Sequence, residues 1–130
     1  MKLFTLEFVN IYYDEHLRLI EYNWKKNSES INDQQYRKSI QDIIKIIKTF
    51  EPIYILANLT NQYYPLPTDT QLWLIDNALN KIFNFGIKKL ALINSQYTIA
   101  KNIYEIILND KERIKIFQDR EQAIAWLTEK

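Results

Sequence analysis

Apolar side chains run almost unbroken through Ile53, Tyr54, Ile55, Leu56, Ala57 and Leu59 in the middle of the chain. A segment that is apolar on both faces is a strand buried on both sides, the habit of parallel sheets covered by helices. Ahead of it, residues 4–13 are rich in aromatic and β-branched side chains. The polar corner Asp14, Glu15 and His16 separates them from residues 17–24, where Arg18, Glu21 and Asn23 interrupt the apolar positions. This pattern predicts a hairpin whose second strand is partly exposed. After the polar residues 25–30, Tyr36, Ile40, Ile43, Ile44, Ile47 and Phe50 recur at the helical period. Asn32, with Gln35 in capping-box spacing, opens that helix and Pro52 stops it.

Beyond the central strand, a second helix opens at Thr68 with Gln71 in the reciprocal capping position. Leu72, Ile75, Leu79, Ile82 and Phe83 form its inward stripe, and Gly86, the only glycine, ends it. A strand greasy on both faces that feeds a capped helix starts a parallel β-α-β unit, and such sheets bind ligands at their carboxyl edge. Residues 90–93 read as a second short buried strand. Ser95 caps a third helix with Ile99, Ile103, Ile106 and Ile107 facing inward. Residues 113–117 read as a last strand, and Asp119 with Gln122 caps a final helix carrying Ala123, Ile124 and Leu127. The order β-β-α-β-α-β-α-β-α predicts an α/β fold with a single open mixed sheet, its later strands parallel through right-handed crossovers. No repeat, low-complexity tract or composition break divides the chain, so residues 1–130 read as one domain. Strand order is not dictated by the pattern.

Composition removes functions more readily than it assigns them. Lys plus Arg number 17 against 16 for Asp plus Glu, a formal charge of +1, which gives no long-range pull toward nucleic acid or anionic membrane. The absence of cysteine excludes disulfides, thiol nucleophiles and thiolate metal sites, and fits a cytoplasmic setting. Glu7 and Asn10 interrupt the amino-terminal apolar residues, and no apolar stretch approaches the ~20 residues that span a bilayer, so no integral membrane segment is expected.

No catalytic constellation emerges. His16, the only histidine, sits in a polar corner without the shielding and oriented partner that a general base needs. Asp14, Glu15 and His16 are consecutive and cannot wrap one metal ion. Serines 28, 30, 39 and 95 would all depend on that one histidine. A single glycine leaves no backbone cradle for an oxyanion or a phosphate. The expectation is a non-enzymatic protein with no cofactor and no metal. Tyr63 and Tyr64, flanked by Pro65 and Pro67, together with Trp73, either anchor a partner protein or roof the core with their rings. Tyr64 is expected to be the most exposed of the three. Tyr12, Tyr13 and Trp24 on the hairpin edge would favour self-association into a homodimer.

Three segments carry a family resemblance. The first is the amino-terminal hairpin leading through Gln35, Tyr36 and Arg37 into the first long helix. The second is Asn58, Leu59 and Thr60 followed by the run from Thr68 through Leu74. The third is the ending from Ile116 through Leu127. In order and spacing they resemble the SpoIIAA-like family, the STAS domains of sulphate transporters and anti-sigma-factor antagonists, and especially its stand-alone branch. The resemblance implies a regulatory protein-interaction module. In the family's regulatory members a serine at the start of the helix after the buried strand is phosphorylated; here that position holds Asp69. Thr68 and Thr70 are the neighbouring candidate phosphosites, and Asp69 either favours the helix amino terminus electrostatically or contacts a partner as part of the interaction surface with Tyr63, Tyr64 and Trp73. The family's grouping with lipid-binding Sec14-like domains implies an alternative, a small-molecule or lipid carrier with an apolar pocket between sheet and helices.

Overall fold

The computed structural model describes residues 2–94 and 99–129. β1 (Lys2–Thr5), β2 (Val9–Asp14) and β3 (Leu19–Trp24) form an antiparallel meander. β4 (Tyr54–Asn58), β5 (Lys89–Ile93) and β6 (Ile114–Phe117) extend it in parallel from β3. The result is an α/β architecture with a single mixed sheet of 6 strands laid in chain order. The central run lies where its two-sided apolarity requires, with β4 between β3 and β5 and with Ile55, Leu56 and Ala57 buried.

α1 (Asp33–Phe50) joins β3 to β4. α2 (Thr68–Leu74), a π turn (Ile75–Leu79) and α3 (Asn80–Asn84) form one continuous rod between β4 and β5. α4 (Lys101–Asn109) joins β5 to β6, and α5 (Arg120–Thr128) follows β6. Strands that advance in chain order through right-handed crossovers put every crossover helix on one face. The core divides accordingly. α1, the rod and α4 pack on the face that carries Ile11, Ile20, Ile55 and Leu90, while α5 covers Leu19, Leu56, Ala91 and Ile93 on the other.

The capping signals are met at two of the helices. Asn32 Oδ1 accepts the Gln35 N–H at 2.8 Å while Gln35 Oε1 accepts the Asn32 N–H at 3.0 Å, a complete capping box for α1. Asp119 accepts from the backbone N–H groups of Glu121 and Gln122 at the start of α5. α5 is also clamped to the sheet by Arg120, which donates through Nη2 to Glu21 Oε1 at 2.8 Å and through Nε to Oε2 at 3.2 Å. Glu21 is only 8% exposed, and the fork pairs its carboxylate. Gly86 has φ +95, a conformation that only glycine adopts without strain, and it turns the chain out of α3.

Four expectations need correction. Residues 4–13 are not one strand: a tight turn at residues 6–8, closed by the Leu6 N–H donating to the Val9 carbonyl at 2.8 Å, folds them into β1 and β2. Both sides of that turn favour strand, so propensity gives no break. The edge is therefore β1, and Tyr12, Tyr13 and Trp24, expected on an open edge, lie on interior strands with Tyr13 and Trp24 buried. The second helix has no capping box, because its N-cap position is Pro67 and the Gln71 side chain turns away to the Leu66 carbonyl and Asn102. Its stripe holds except at one residue. Ile75, Leu79, Ile82 and Phe83 pack against the core, joined by Thr70, Leu74 and Ala78 on the inward side, and Leu72 is left 51% exposed. Ser95, read as a helix cap, lies outside the described residues.

This assignment of inside and outside makes two leucines behave differently. Leu56→Ala should destabilise the protein by about 2–5 kcal/mol, as for other buried leucines, and Leu72→Ala by no more than about 0.5 kcal/mol. Urea unfolding monitored by circular dichroism compares them, and equal losses would show the burial to be misassigned.

Candidate functional site

The inner face of the sheet and its three covering elements do not close on one another. Between them lies a cavity of about 480 Å³. Folded interiors seldom hold voids larger than a water molecule, which sets this space apart from ordinary core packing. Its floor, toward the amino ends of the parallel strands, is aliphatic: Ile47, Ile55, Ile82, Leu90, Ile107 and Ile114. At the carboxyl edge the wall changes character. Tyr22 and Trp24 close β3, Tyr36 lies in the first turns of α1, and Gln62, Tyr64 and Gln71 come from the β4–α2 connection and α2.

Among the described residues the lining contains no ionisable group other than tyrosine. Burial pushes the Tyr22 hydroxyl far up from its ordinary pKa. Tyr36 is raised by burial first and then by the neighbouring Tyr22, Tyr64 and Asp33. Both stay protonated donors at any physiological pH. Tyr22 lies deep in the molecule, yet only part of its surface is covered by protein, because its ring borders the open volume. Tyr36 stacks on Trp24 with ring centroids 5.3 Å apart and has Tyr64 at 5.4 Å on its other side.

A polar cluster fastens the rim of this end. The Tyr64 hydroxyl donates to Asp33 Oδ1 at 2.8 Å, and the Thr70 hydroxyl donates to the same oxygen. Arg37 Nη2 donates to Thr70 Oγ1 at 3.0 Å. Its Nε lies 2.8 Å from Asp33 Oδ2, an ion pair by distance whose angle leaves that N–H without a hydrogen bond. The Thr70 hydroxyl, assisted by Tyr64 and Arg37, holds the Asp33 carboxyl below the usual range, while partial burial pulls the other way. Burial, then the Asp33 carboxylate, pushes the Tyr64 phenol up to about 12. Two further bonds hold the connection at residues 59–67. Ser28 Oγ donates to the Asn61 carbonyl at 2.7 Å and Gln71 Nε2 to the Leu66 carbonyl at 2.8 Å.

The residues singled out from the sequence meet different fates. Tyr64, expected to be the most exposed aromatic, is half-buried, tied to Asp33 and part of the cavity wall. Tyr63 is half-buried and donates to Asn61 Oδ1 at 3.2 Å. Trp73 is half-buried beneath the Arg37 guanidinium, 5.2 Å from its ring centroid. Thr68 and Asp69 are exposed in the first turn of α2. Thr70, read as a candidate phosphosite, is instead 1% exposed, with its hydroxyl bonded inward to Asp33 and Arg37. His16 is exposed in the turn between β2 and β3. Sequence reasoning passed over Asp33 and Tyr22. The spacing of Asp33 and Arg37 at i and i+4 was the one local signal for the cluster.

Among the described residues, no group of three His, Cys, Asp or Glu side chains could hold a metal ion. No helix among them is long and apolar enough to cross a membrane. No family model, curated protein or solved structure matches the chain.

Because the folded-state pKa of Asp33 is depressed, its contribution to stability is present above its unfolded value, about 3.9, and is lost as pH falls through the lower folded value. Asp33→Asn should therefore be less stable than the native chain at pH 6–7, by about 1–2 kcal/mol for the lost charged hydrogen bonds. That gap should shrink as pH drops below about 4. Urea midpoints for both proteins across this range check the effect; a gap independent of pH would show that Asp33 ionisation does not fasten the rim.

Proposed function

We propose that this chain is a non-enzymatic binding protein for a small apolar molecule held between the sheet and the helices α1, α2–α3 and α4. The cavity of about 480 Å³ carries this reading. Apolar walls that face such a space forgo the contacts that a close-packed interior makes. Water relieves such a void only where polar partners surround it, and the floor here supplies none. An apolar occupant offsets the deficit. Size and composition also fall in the range of small-molecule sites, concave and mostly apolar with a few polar groups.

The finer fold assignment, SpoIIAA-like, is part of the proposal. It rests on the three segments of the sequence and is compatible with the mixed sheet carrying helices on both faces. A cytoplasmic residence is proposed from the lack of cysteine. A second reading retains the regulatory docking module implied by the resemblance. One observation favours it: Leu72 is exposed beside the exposed Asp69 at the start of α2. Comparing the proteins retained by the native chain and by Leu72→Glu tests that surface, and an unchanged set counts against it.

The pocket reading is tested by filling it. Ala78 and Ala100 both line the cavity, so Ala78→Leu combined with Ala100→Leu adds carbon where there is space. The double variant should keep or raise the melting temperature and bind the neutral dye N-phenylnaphthylamine at least several-fold more weakly than the native chain. Dye binding unaffected by the substitutions, or a native chain that binds no dye, would remove the proposal.

A further inference from the structure

The geometry points to the chemical class of the ligand: an uncharged, mostly hydrocarbon molecule with one oxygen acceptor at one end, seated with that oxygen beneath Tyr64 and its hydrocarbon body on the isoleucine floor. This inference rests on the cavity being the binding site.

Its first support is the gradient along the cavity. The floor offers only aliphatic carbon, whereas the carboxyl-edge end gathers the tyrosines. A ligand polar at both ends would bury an unpaired group against Ile107 and Ile114, and a pure hydrocarbon would leave the tyrosine end unmet.

The second is the pair of hydroxyls. Tyr36 is 3% exposed, and no hydrogen-bond partner for its hydroxyl or that of Tyr22 occurs among the described residues. Several other polar groups of this end are already engaged. Tyr64 donates to Asp33, the Gln71 oxygen accepts from Asn102 Nδ2 at 2.9 Å while its nitrogen serves Leu66, and the Gln62 oxygen accepts the Tyr64 N–H. Both side chains border the open volume, so an oxygen delivered here by a ligand meets two donors not engaged by the described residues.

The third is charge. No cation lines the cavity among the described residues, and the nearest ion pair, Asp33 with Arg37, neutralises itself. A carboxylate brought inside would lose its hydration without gaining a counter-charge. An ammonium would likewise lose its hydration without gaining a counter-charge, since no carboxylate lines the cavity among the described residues. Size sets the remaining bound. A cavity of about 150 Å³ takes benzene, so one of about 480 Å³ has room for roughly nineteen non-hydrogen atoms by the same measure.

Displacement of N-phenylnaphthylamine from the whole chain at pH 8, with dodecanol and dodecanoate as competitors, separates the alternatives. Dodecanol should displace the dye at a concentration at least ten-fold lower than dodecanoate. In Tyr22→Phe combined with Tyr36→Phe, dodecanol should weaken by about five- to ten-fold, the equivalent of one or two neutral hydrogen bonds, with dye affinity held. Equal or stronger displacement by dodecanoate from the native chain, a comparison that needs no variant, would overturn the uncharged class while leaving the pocket in place. Unchanged dodecanol displacement in the tyrosine variant would overturn the role of the hydroxyls. A native chain that fails to bind the dye at all would overturn both the pocket and this inference.

Discussion

Right-handed crossovers between strands laid side by side in chain order constrain everything else in this molecule. Each step from β3 to β4 to β5 to β6 moves in the same direction, so α1, the rod and α4 are forced onto one face. Only α5, which starts no further crossover, reaches the other, where Ala91, Ala123 and Leu127 pack closely with Leu56. The two faces thus receive different treatments. One is sealed by a single helix clamped through Arg120 and Glu21, and the other is spanned by three elements that leave room between them.

The side chains of the spanning elements account for the shape of that room. α1 contributes Ile40, Ile43, Ile44 and Ile47, and α4 contributes Ile103 and Ile107, β-branched residues with little rotamer freedom in a helix and no reach to fill a gap. The π turn places the small Ala78 toward the sheet at the point where a larger residue would close the space. At the carboxyl edge the constraint changes from shape to polarity. Asp33, at the first position of α1, gathers hydroxyls from the β4–α2 connection and from α2, so one carboxylate joins three separate stretches of chain. The rim is held by charge-assisted bonds and the floor by hydrocarbon contact.

Much of the fold was written in short-range signals. The two-sided apolarity of residues 53–57 placed β4 inside the sheet, the Asn32 and Gln35 spacing fixed the start of α1, and Asp119 with Gln122 marked the start of α5. These work because a cap or a buried strand is decided by neighbours a few residues apart. The same reasoning failed where two outcomes share one local pattern. Residues 4–13 are strand-favouring throughout, so the turn at 6–8 that moves the sheet edge to β1 left no mark in propensity. Thr68 and Gln71 have capping-box spacing, but Pro67 takes the cap position and Gln71 is claimed by Leu66 and Asn102.

The candidate site was legible only in outline. The tyrosine-proline connection at the carboxyl edge was visible as a working region, yet its aromatic side chains turn inward, because the Asp33 carboxylate that draws Tyr64 down lies 31 residues away in sequence. By itself the sequence determined the kinds of element from β3 onward, their order and the caps of α1 and α5, since each follows from local composition and spacing. The tertiary structure alone decided strand order, the division of helices between faces, the cavity, and the meeting of Tyr22 with Tyr36 at its polar end. Empty volume belongs to no residue. It is a property of the distance between packed elements, which no local pattern encodes.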